Sequence, residues 1–391
     1  MNFKKLPDGL HEQIVKWRRD LHQIPEIGND LPQTSAYVQK VLSDMGIPFV
    51  TMINGSGIFA TITGGLTGKT IALRADMDGL PIVEQAPVSF KSTNGNMHAC
   101  GHDAHTAMLL GAAKVLNDNK DTIKGTVKLI FQSGEESIGG AKLMIEEGCL
   151  DGVDAIFGQH IECNFFGAKE SGKITVSHSN AMACRDSFKI KIVGRGGHGA
   201  WPENTIDPIA MSAQVINGIN LIKAREISAL TPCVISICMI NGGTAGNIIP
   251  NEVVLEGSTR SVDVKTREIV ATRIEEVLKH TCSAFGGSYK FAFIKGYDIT
   301  QNNPKMADLV IDSAKDLGFG DDIVLQSSPV MGSEDMSFYL NKVSGAYYFL
   351  SSVVHQDGQV YGHHNPKFML DEGVFSKGTA LLLQIIANYL G

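Results

Sequence analysis

The stretch Asn96-Met97-His98-Ala99-Cys100-Gly101-His102-Asp103-Ala104-His105 sets three histidines and one cysteine within eight positions. Thiolate and imidazole are the ligands that zinc and other first-row transition metals prefer. A plainer use competes with this one, since Asp103 and His105 would also suit the first turn of the helix that follows. The cluster gains weight from residues of the same chemistry elsewhere. Glu135-Glu136 follows the apolar run TVKLIFQ through Ser133-Gly134, His160 ends the run AIFGQH, and His363-His364 precedes Asn365-Pro366.

Two adjacent carboxylates can divide the work. One binds a metal, and the other stays unligated and takes a proton from a water that the metal has made acidic. The same carboxylate then delivers the proton to a leaving amine. The chemistry this implies is metal-assisted hydrolysis of a carbonyl compound. Asp76 and Asp78, in Arg74-Ala75-Asp76-Met77-Asp78-Gly79-Leu80-Pro81, have two uses open to them. They would orient a histidine ligand, or they belong to the turn that Asp-Gly and Leu-Pro announce.

Two glycine-rich stretches lie further on. In Gly194-Arg195-Gly196-Gly197-His198-Gly199-Ala200-Trp201-Pro202, the glycines let backbone approach a ligand, and His198 would donate a hydrogen bond to a developing oxyanion. The glycine spacing does not make a dinucleotide fingerprint in this setting. In Gly242-Gly243-Thr244-Ala245-Gly246-Asn247-Ile248-Ile249-Pro250, Asn247 precedes a strand-like run that ends at Arg260. An asparagine and an arginine suit a substrate carboxylate, although a turn residue and a surface charge account for them equally well.

These residues need elements to hold them. Leu10, Ile14, Val15, Trp17, Arg18 and Leu21 follow a 3.6-residue period, so a helix is predicted up to Pro25. A second helix is expected over 34–45 and a third over 103–116. Strands are expected at 58–63, 70–74, 126–132 and 154–160, with a helix over 140–147 between the last two. Strands alternating with helices imply a mostly parallel sheet covered on both faces. In such a sheet ligands bind beyond the carboxyl ends of strands, where Glu135, Glu136 and His160 are predicted to lie.

The middle of the chain changes character. Strand, helix (207–225), two strands, helix (265–285) and strand follow in the order β-α-β-β-α-β, the split pattern of a small ferredoxin-like α+β domain. The predicted organisation is a discontinuous α/β domain over 1–182 and 296–391, interrupted by an inserted domain over 183–295.

Composition removes other classes. The chain has 391 residues, 43% of them hydrophobic and 19% charged, which allows a buried core and argues against wholesale disorder. Its net charge is -7, so a nucleic-acid partner is not expected. No run is long and apolar enough for a membrane span. The N-terminal MNFKKLPDGLHEQIVKWRRD carries two lysines with no apolar stretch behind them, unlike a signal peptide. With seven cysteines, an odd number, reduced thiols in a cytoplasm are the expectation.

At these residues the sequence resembles the metal-dependent amidohydrolases that include hippurate hydrolase, N-acyl-amino-acid amidohydrolases, N-acetyldiaminopimelate deacetylase and auxin-conjugate hydrolases, relatives of aminoacylase and glutamate carboxypeptidase. The likeness runs from Arg18-Arg19-Asp20-Leu21-His22 and the Arg74-to-Pro81 stretch through His98-Ala99-Cys100-Gly101-His102-Asp103 and Glu135-Glu136. It continues through Gly158-Gln159-His160, Gly196-Gly197-His198 and Gly246-Asn247-Ile248-Ile249-Pro250 to Met331-Gly332-Ser333-Glu334-Asp335 and His364-Asn365-Pro366.

The resemblance implies a phosphorylase/hydrolase-like α/β catalytic domain with an inserted dimerisation lid. It implies two divalent metal ions (Mn, Zn, Co or Ni) on Cys100, His102, Glu136, His160 and His364, with Glu135 as general base and acid. It further implies that His198 acts in the partner subunit's site of a homodimer, and that Asn247 and Arg260 hold the carboxylate of a small N-acyl amino acid. The chain departs from the usual pattern at Ser133-Gly134 (Pro-Ala in the family), at Gly246 (often Phe), at Ser333 and Met336 (Gly and Phe), and at His363 (often Leu). Two competing readings are a thiol hydrolase using Cys100 activated by His102, and a homologue that keeps metal without activity.

Overall fold

The computed structural model describes every residue except 1, 2, 4, 138 and 168. Lys4, one of the two lysines weighed at the N-terminus, lies outside the described residues. The chain divides into two compact units. One comprises Met1–Ala181, Thr300–Ser328 and Asp335–Gly391, and the other Met182–Ile299 and Pro329–Glu334.

The first unit is built on an eight-stranded sheet. Its strands run in the order Phe49–Met52, Gly57–Thr63, Lys124–Gln132, Leu66–Asp76, Ala155–Glu162, Gly345–Ser351, Ile174–Val176, Ile323–Leu325. Lys124–Gln132, Leu66–Asp76, Ala155–Glu162 and Gly345–Ser351 are parallel neighbours. Ala155–Glu162 and Gly345–Ser351 are buried end to end, Leu66–Asp76 and Lys124–Gln132 are buried toward their carboxyl ends, and Phe131, Phe157 and Phe349 are fully enclosed. Burial on both faces is what a parallel sheet with helices above and below requires.

The expectation of a mostly parallel sheet holds for this centre and not for its two flanks. Phe49–Met52 and Gly57–Thr63 are antiparallel to their neighbours, and so is Ile174–Val176 to Gly345–Ser351. Apolar patterning reports burial, not direction, so these reversals could not be read from the residues. Helix His102–Asp118 is buried almost all round, because Ala104, Ala107, Met108, Leu109 and Leu110 point into core on successive faces. Helices Leu10–His22 and Phe375–Leu390 pack against it.

The second unit follows β-α-β-β-α-β, with strands Cys184–Val193, Cys233–Gly242, Glu252–Ser261 and Ser288–Lys295 and helices Pro208–Arg225 and Val264–Ala284. Its four strands are all antiparallel, and Cys233–Gly242 and Ser288–Lys295 form the edges. One face carries the core: Phe188, Ile190 and Ile192 meet Met211, Val215, Ile219, Val270 and Ile274 from the helices. The helices start where Asp207 and Asp263 accept hydrogen bonds from first-turn amides, Asp207 preceding Pro208. Arg185, Ser187 and Lys189 alternate with the core residues and are exposed on the opposite face.

No helix among the described residues is long and apolar enough to cross a membrane. All seven cysteines are free thiols, and only Cys238 is exposed.

Candidate metal centre

The parallel strands of the first unit deliver their carboxyl ends to one place. Asp76 closes Leu66–Asp76 opposite Gln132, the last residue of Lys124–Gln132, and Glu135-Glu136 turn off just beyond. His160 does not end its strand, which runs on through Glu162. Cys100 and His102 flank Gly101, which has φ +88° at the start of the helix. A Cβ at Gly101 would lie 2.5 Å from Ile161 Cγ2, so only glycine lets this loop turn so close over the strand.

The ligand-type atoms gather into overlapping sets. Cys100, His102 and His160 have theirs within 4.8 Å of one another, as do Cys100, Glu136 and His364, and His102, Glu135 and Glu136. Cys100 Sγ is 3.5 Å from His160 Nε2, and His364 Nε2 is 3.0 Å from Glu136 Oε1. Cys100, His102, Glu135 and His160 are buried, whereas the His364 side chain is half-exposed. His364 adopts φ +63°, a left-handed conformation that costs a non-glycine residue on the order of 1 kcal/mol, and its N–H donates to Ala99 O. Strain of this kind is typical where a side chain must be aimed.

Asp78 organises the opposite wall. Its Oδ1 accepts the Glu135 N–H at 3.0 Å and its Oδ2 the Glu136 N–H at 3.0 Å, so one carboxylate pins the turn that presents both glutamates. Oδ1 also lies 3.3 Å from His102 Nδ1. Asp76 receives Arg74 at 2.6 Å and His105 Nδ1 at 2.5 Å. His105 Nε2 in turn accepts the Ile161 N–H at 2.8 Å. With both nitrogens engaged, His105 holds a fixed neutral tautomer and braces the His160 strand. Asp335, at the other end of the chain, accepts from Arg74 at 2.8 Å, from Gln132 at 2.7 Å and from the Ala141 N–H at 3.0 Å.

Capping by Asp103 and His105 is not what the structure shows. Helix His102–Asp118 has no side-chain cap. Asp103 instead accepts from Arg18 Nε at 2.8 Å and His22 Nδ1 at 2.7 Å, and His22 Nε2 reaches Glu84 at 3.0 Å. A buried carboxylate needs a charged partner, and the Arg18 guanidinium supplies it.

The electrostatics of the centre call for positive charge. Burial alone would push the His102 imidazolium down, yet Asp76, Asp78 and Glu136 outweigh it and raise its pKa to about 10. Burial drives the Cys100 thiol well up, and Glu136 and Glu135 add to this. Neither His102 nitrogen has an aligned hydrogen bond among the described residues. A soft and borderline donor set, a negative field and a buried imidazole with unused nitrogens together fit divalent cations, which supply the charge that thiolate ligation requires. The same field opposes a free Cys100 thiolate and so weighs against a thiol nucleophile.

The remaining predicted residues lie in the second unit. His198 pairs with Ile248 across a short two-stranded ladder and lies against Trp201, the ring centroids 4.7 Å apart and the planes tilted by 48°. Its Nδ1 accepts the Ala200 N–H at 3.1 Å, which leaves Nε2–H as the outward donor. Asn247 is exposed, and its carbonyl accepts the Gly199 N–H. Arg260 Nη1 donates to Met331 O at 2.9 Å.

Sequence reasoning left out the structural parts played by Arg74, His105, Gln132 and Asp335. For His105 a signal existed, because positions i and i+3 share one helix face and His102 stands three residues before it. Nothing local marks Asp335, whose partners lie some two hundred positions away.

The sequence matches peptidase family M20/M25/M40 over residues 72–388. It is 40% identical to thermostable carboxypeptidase 2 of Saccharolobus solfataricus over 94% of this chain and 93% of that one. It is also 40% identical to the N-acyl-L-amino acid amidohydrolase of Geobacillus stearothermophilus, over 75% of this chain and 79% of that protein. Among solved structures, the fold matches the Bacillus subtilis YXEP protein, described as a dinuclear metal-binding peptidase. The TM-score is 0.84 at 30% identity, covering 98% of this chain and 99% of that one.

Proposed function

The chain belongs to peptidase family M20/M25/M40 and is a metal-dependent amidohydrolase, and from that premise we propose that it hydrolyses the amide bond of N-acyl-L-amino acids, hippurate-like or N-acetylated. The observation that carries this reading is the pairing of Glu135 with Glu136 beside Cys100, His102 and His364, two glutamates presented by one turn on Asp78. Two divalent cations, held by Cys100, His102, Glu136, His160 and His364, would polarise the scissile carbonyl and lower the pKa of water.

The protein's own groups do the rest. Glu135 takes the proton of the attacking water and returns it to the departing amine. The Asp78 carboxylate keeps the Glu135 backbone from swinging away, so the side chain starts near its working position. His198, through Nε2–H, stabilises the oxyanion. Asn247 and Arg260 hold the substrate carboxylate, the arginine in the bidentate manner.

In this reading the first unit is the catalytic domain and the second an inserted lid through which the chain dimerises, His198 serving the partner's site. The edge strand Cys233–Gly242 supports the dimer. Val234, Met239 and Ile240 are exposed along it, and an unpaired strand edge is a template for a second copy. Sedimentation velocity is expected to show a dimer, and Ile240→Lys a monomer of much reduced activity. A fully active monomer would remove the role of His198 in the partner's site.

The metal reading has its own test. Exhaustive chelation should abolish hydrolysis of a panel of N-acetyl and N-benzoyl amino acids and short peptides. Re-addition of Mn, Zn, Co or Ni should restore it, at two ions per chain by elemental analysis. Hydrolysis that survives metal removal would favour the Cys100 thiol instead. A metal-loaded protein inert across the panel would favour a homologue that has lost the activity.

A further inference from the structure

The open face of the second unit's sheet breaks its own charge rule at one end. Along strands Cys184–Val193 and Glu252–Ser261, Lys189 stands directly opposite Glu256 and bonds it at 2.6 Å, and Lys191 reaches Glu252 at 2.8 Å. Ser187 faces Ser258. The next pair on the same face is Arg185 opposite Arg260. Like charges directly across an antiparallel pair destabilise a sheet.

Nothing among the described residues neutralises this pair. Arg185 is exposed and its side chain makes no ion pair there, while the Arg260 guanidinium donates to the Met331 carbonyl. The nearest carboxylate in sequence, Asp186, points to the other face, where Arg267 holds it at 2.8 Å and 2.5 Å. Burial, and then Arg185 itself, disfavour the charge on Arg260. Two arginines at directly opposed positions, one of them half-buried, offer two guanidiniums to anions. A single carboxylate needs only one of them.

We propose that Arg185 is a specificity-determining residue that binds a second carboxylate, so that the preferred substrate is an N-acyl amino acid with an acidic side chain or a dicarboxylic acyl group. The inference rests on the amidohydrolase reading and on Arg260 as the residue that holds the first carboxylate. Ser187 and Ser258, next along the face, leave that end of the sheet uncrowded and able to admit the second group.

The test compares kcat/KM on two isosteric pairs, N-acetyl-L-glutamate against N-acetyl-L-glutamine and N-succinyl-L-alanine against N-succinamoyl-L-alanine, in the metal-loaded enzyme. The wild type is expected to favour the diacid of at least one pair. Arg185→Gln should lower that diacid-to-neutral ratio about tenfold, mostly through KM, and Arg185→Lys should restore part of it, as expected for a charge-assisted hydrogen bond. Circular dichroism and unfolding midpoints of the variants exclude a merely structural loss. A ratio unchanged by Arg185→Gln, or a wild type that favours the neutral substrate of both pairs, overturns the proposal and leaves the amidohydrolase reading standing. An enzyme inert on all four substrates and on the wider panel overturns both.

Discussion

Glu135→Gln is expected to lower kcat by about 10³-fold, close to 4 kcal/mol of barrier, while both metal ions stay bound. Glutamine keeps the size of the side chain and loses its ability to take a proton. The backbone of residue 135 would still donate to Asp78, so the turn that presents the two carboxylates stays in place. Glu136→Gln should behave differently. That carboxylate lies in one group with Cys100 and His364 and in another with His102 and Glu135, so its loss is expected to lower metal content along with activity. Single-turnover rates with elemental analysis of each variant separate the two cases. A Glu135→Gln enzyme that keeps its metals and hydrolyses at close to the native rate would sink the assignment of the base.

The second large effect is expected from Arg74→Met. The Arg74 guanidinium bonds Asp76 at 2.6 Å, Asp335 at 2.8 Å and Gln132 at 2.9 Å, and both carboxylates are fully buried. Removing the cation alone leaves two buried negative charges without it, a change that costs about 3–5 kcal/mol in comparable sites. Arg74→Lys should recover only part of the loss, because an ammonium cannot span three acceptors as a planar guanidinium does. Denaturant unfolding measures this directly, and a loss below about 1 kcal/mol would show that the cluster relaxes or takes up water.

How much of this was legible beforehand follows from the physics of each feature. Cys100, His102, Glu135, Glu136 and His160, whose ligand-type atoms the structure gathers, stand out in the sequence because their chemistry is rare and their position relative to strands is periodic and local. His364 stands out by residue type near the C-terminus, but its left-handed backbone does not, since no glycine or asparagine marks it. The parallel centre of the sheet followed from the alternation of strands and helices. Its antiparallel flanks did not, because direction is set by long-range pairing. The attachment of Pro329–Glu334 to the second unit was equally hidden, since a six-residue loop carries no period. Asp103 shows the reverse case, where the competing use at a helix start gives way to a buried arginine and histidine that arrive from the first helix.

Strands Ala155–Glu162 and Gly345–Ser351 are neighbours in the sheet, yet the whole of Met182–Ile299 is threaded between them in sequence. Polymer statistics make this detour inexpensive. The entropy of closing a loop grows only with the logarithm of its length, about 0.6 kcal/mol for each doubling. Lengthening or shortening the intervening segment therefore hardly alters how firmly His160 and His364 are brought to the same end of the sheet. Natural selection is left with two nearly independent dials: a chemical core fixed by strand pairing, and an excursion free to vary in length and surface without unseating it.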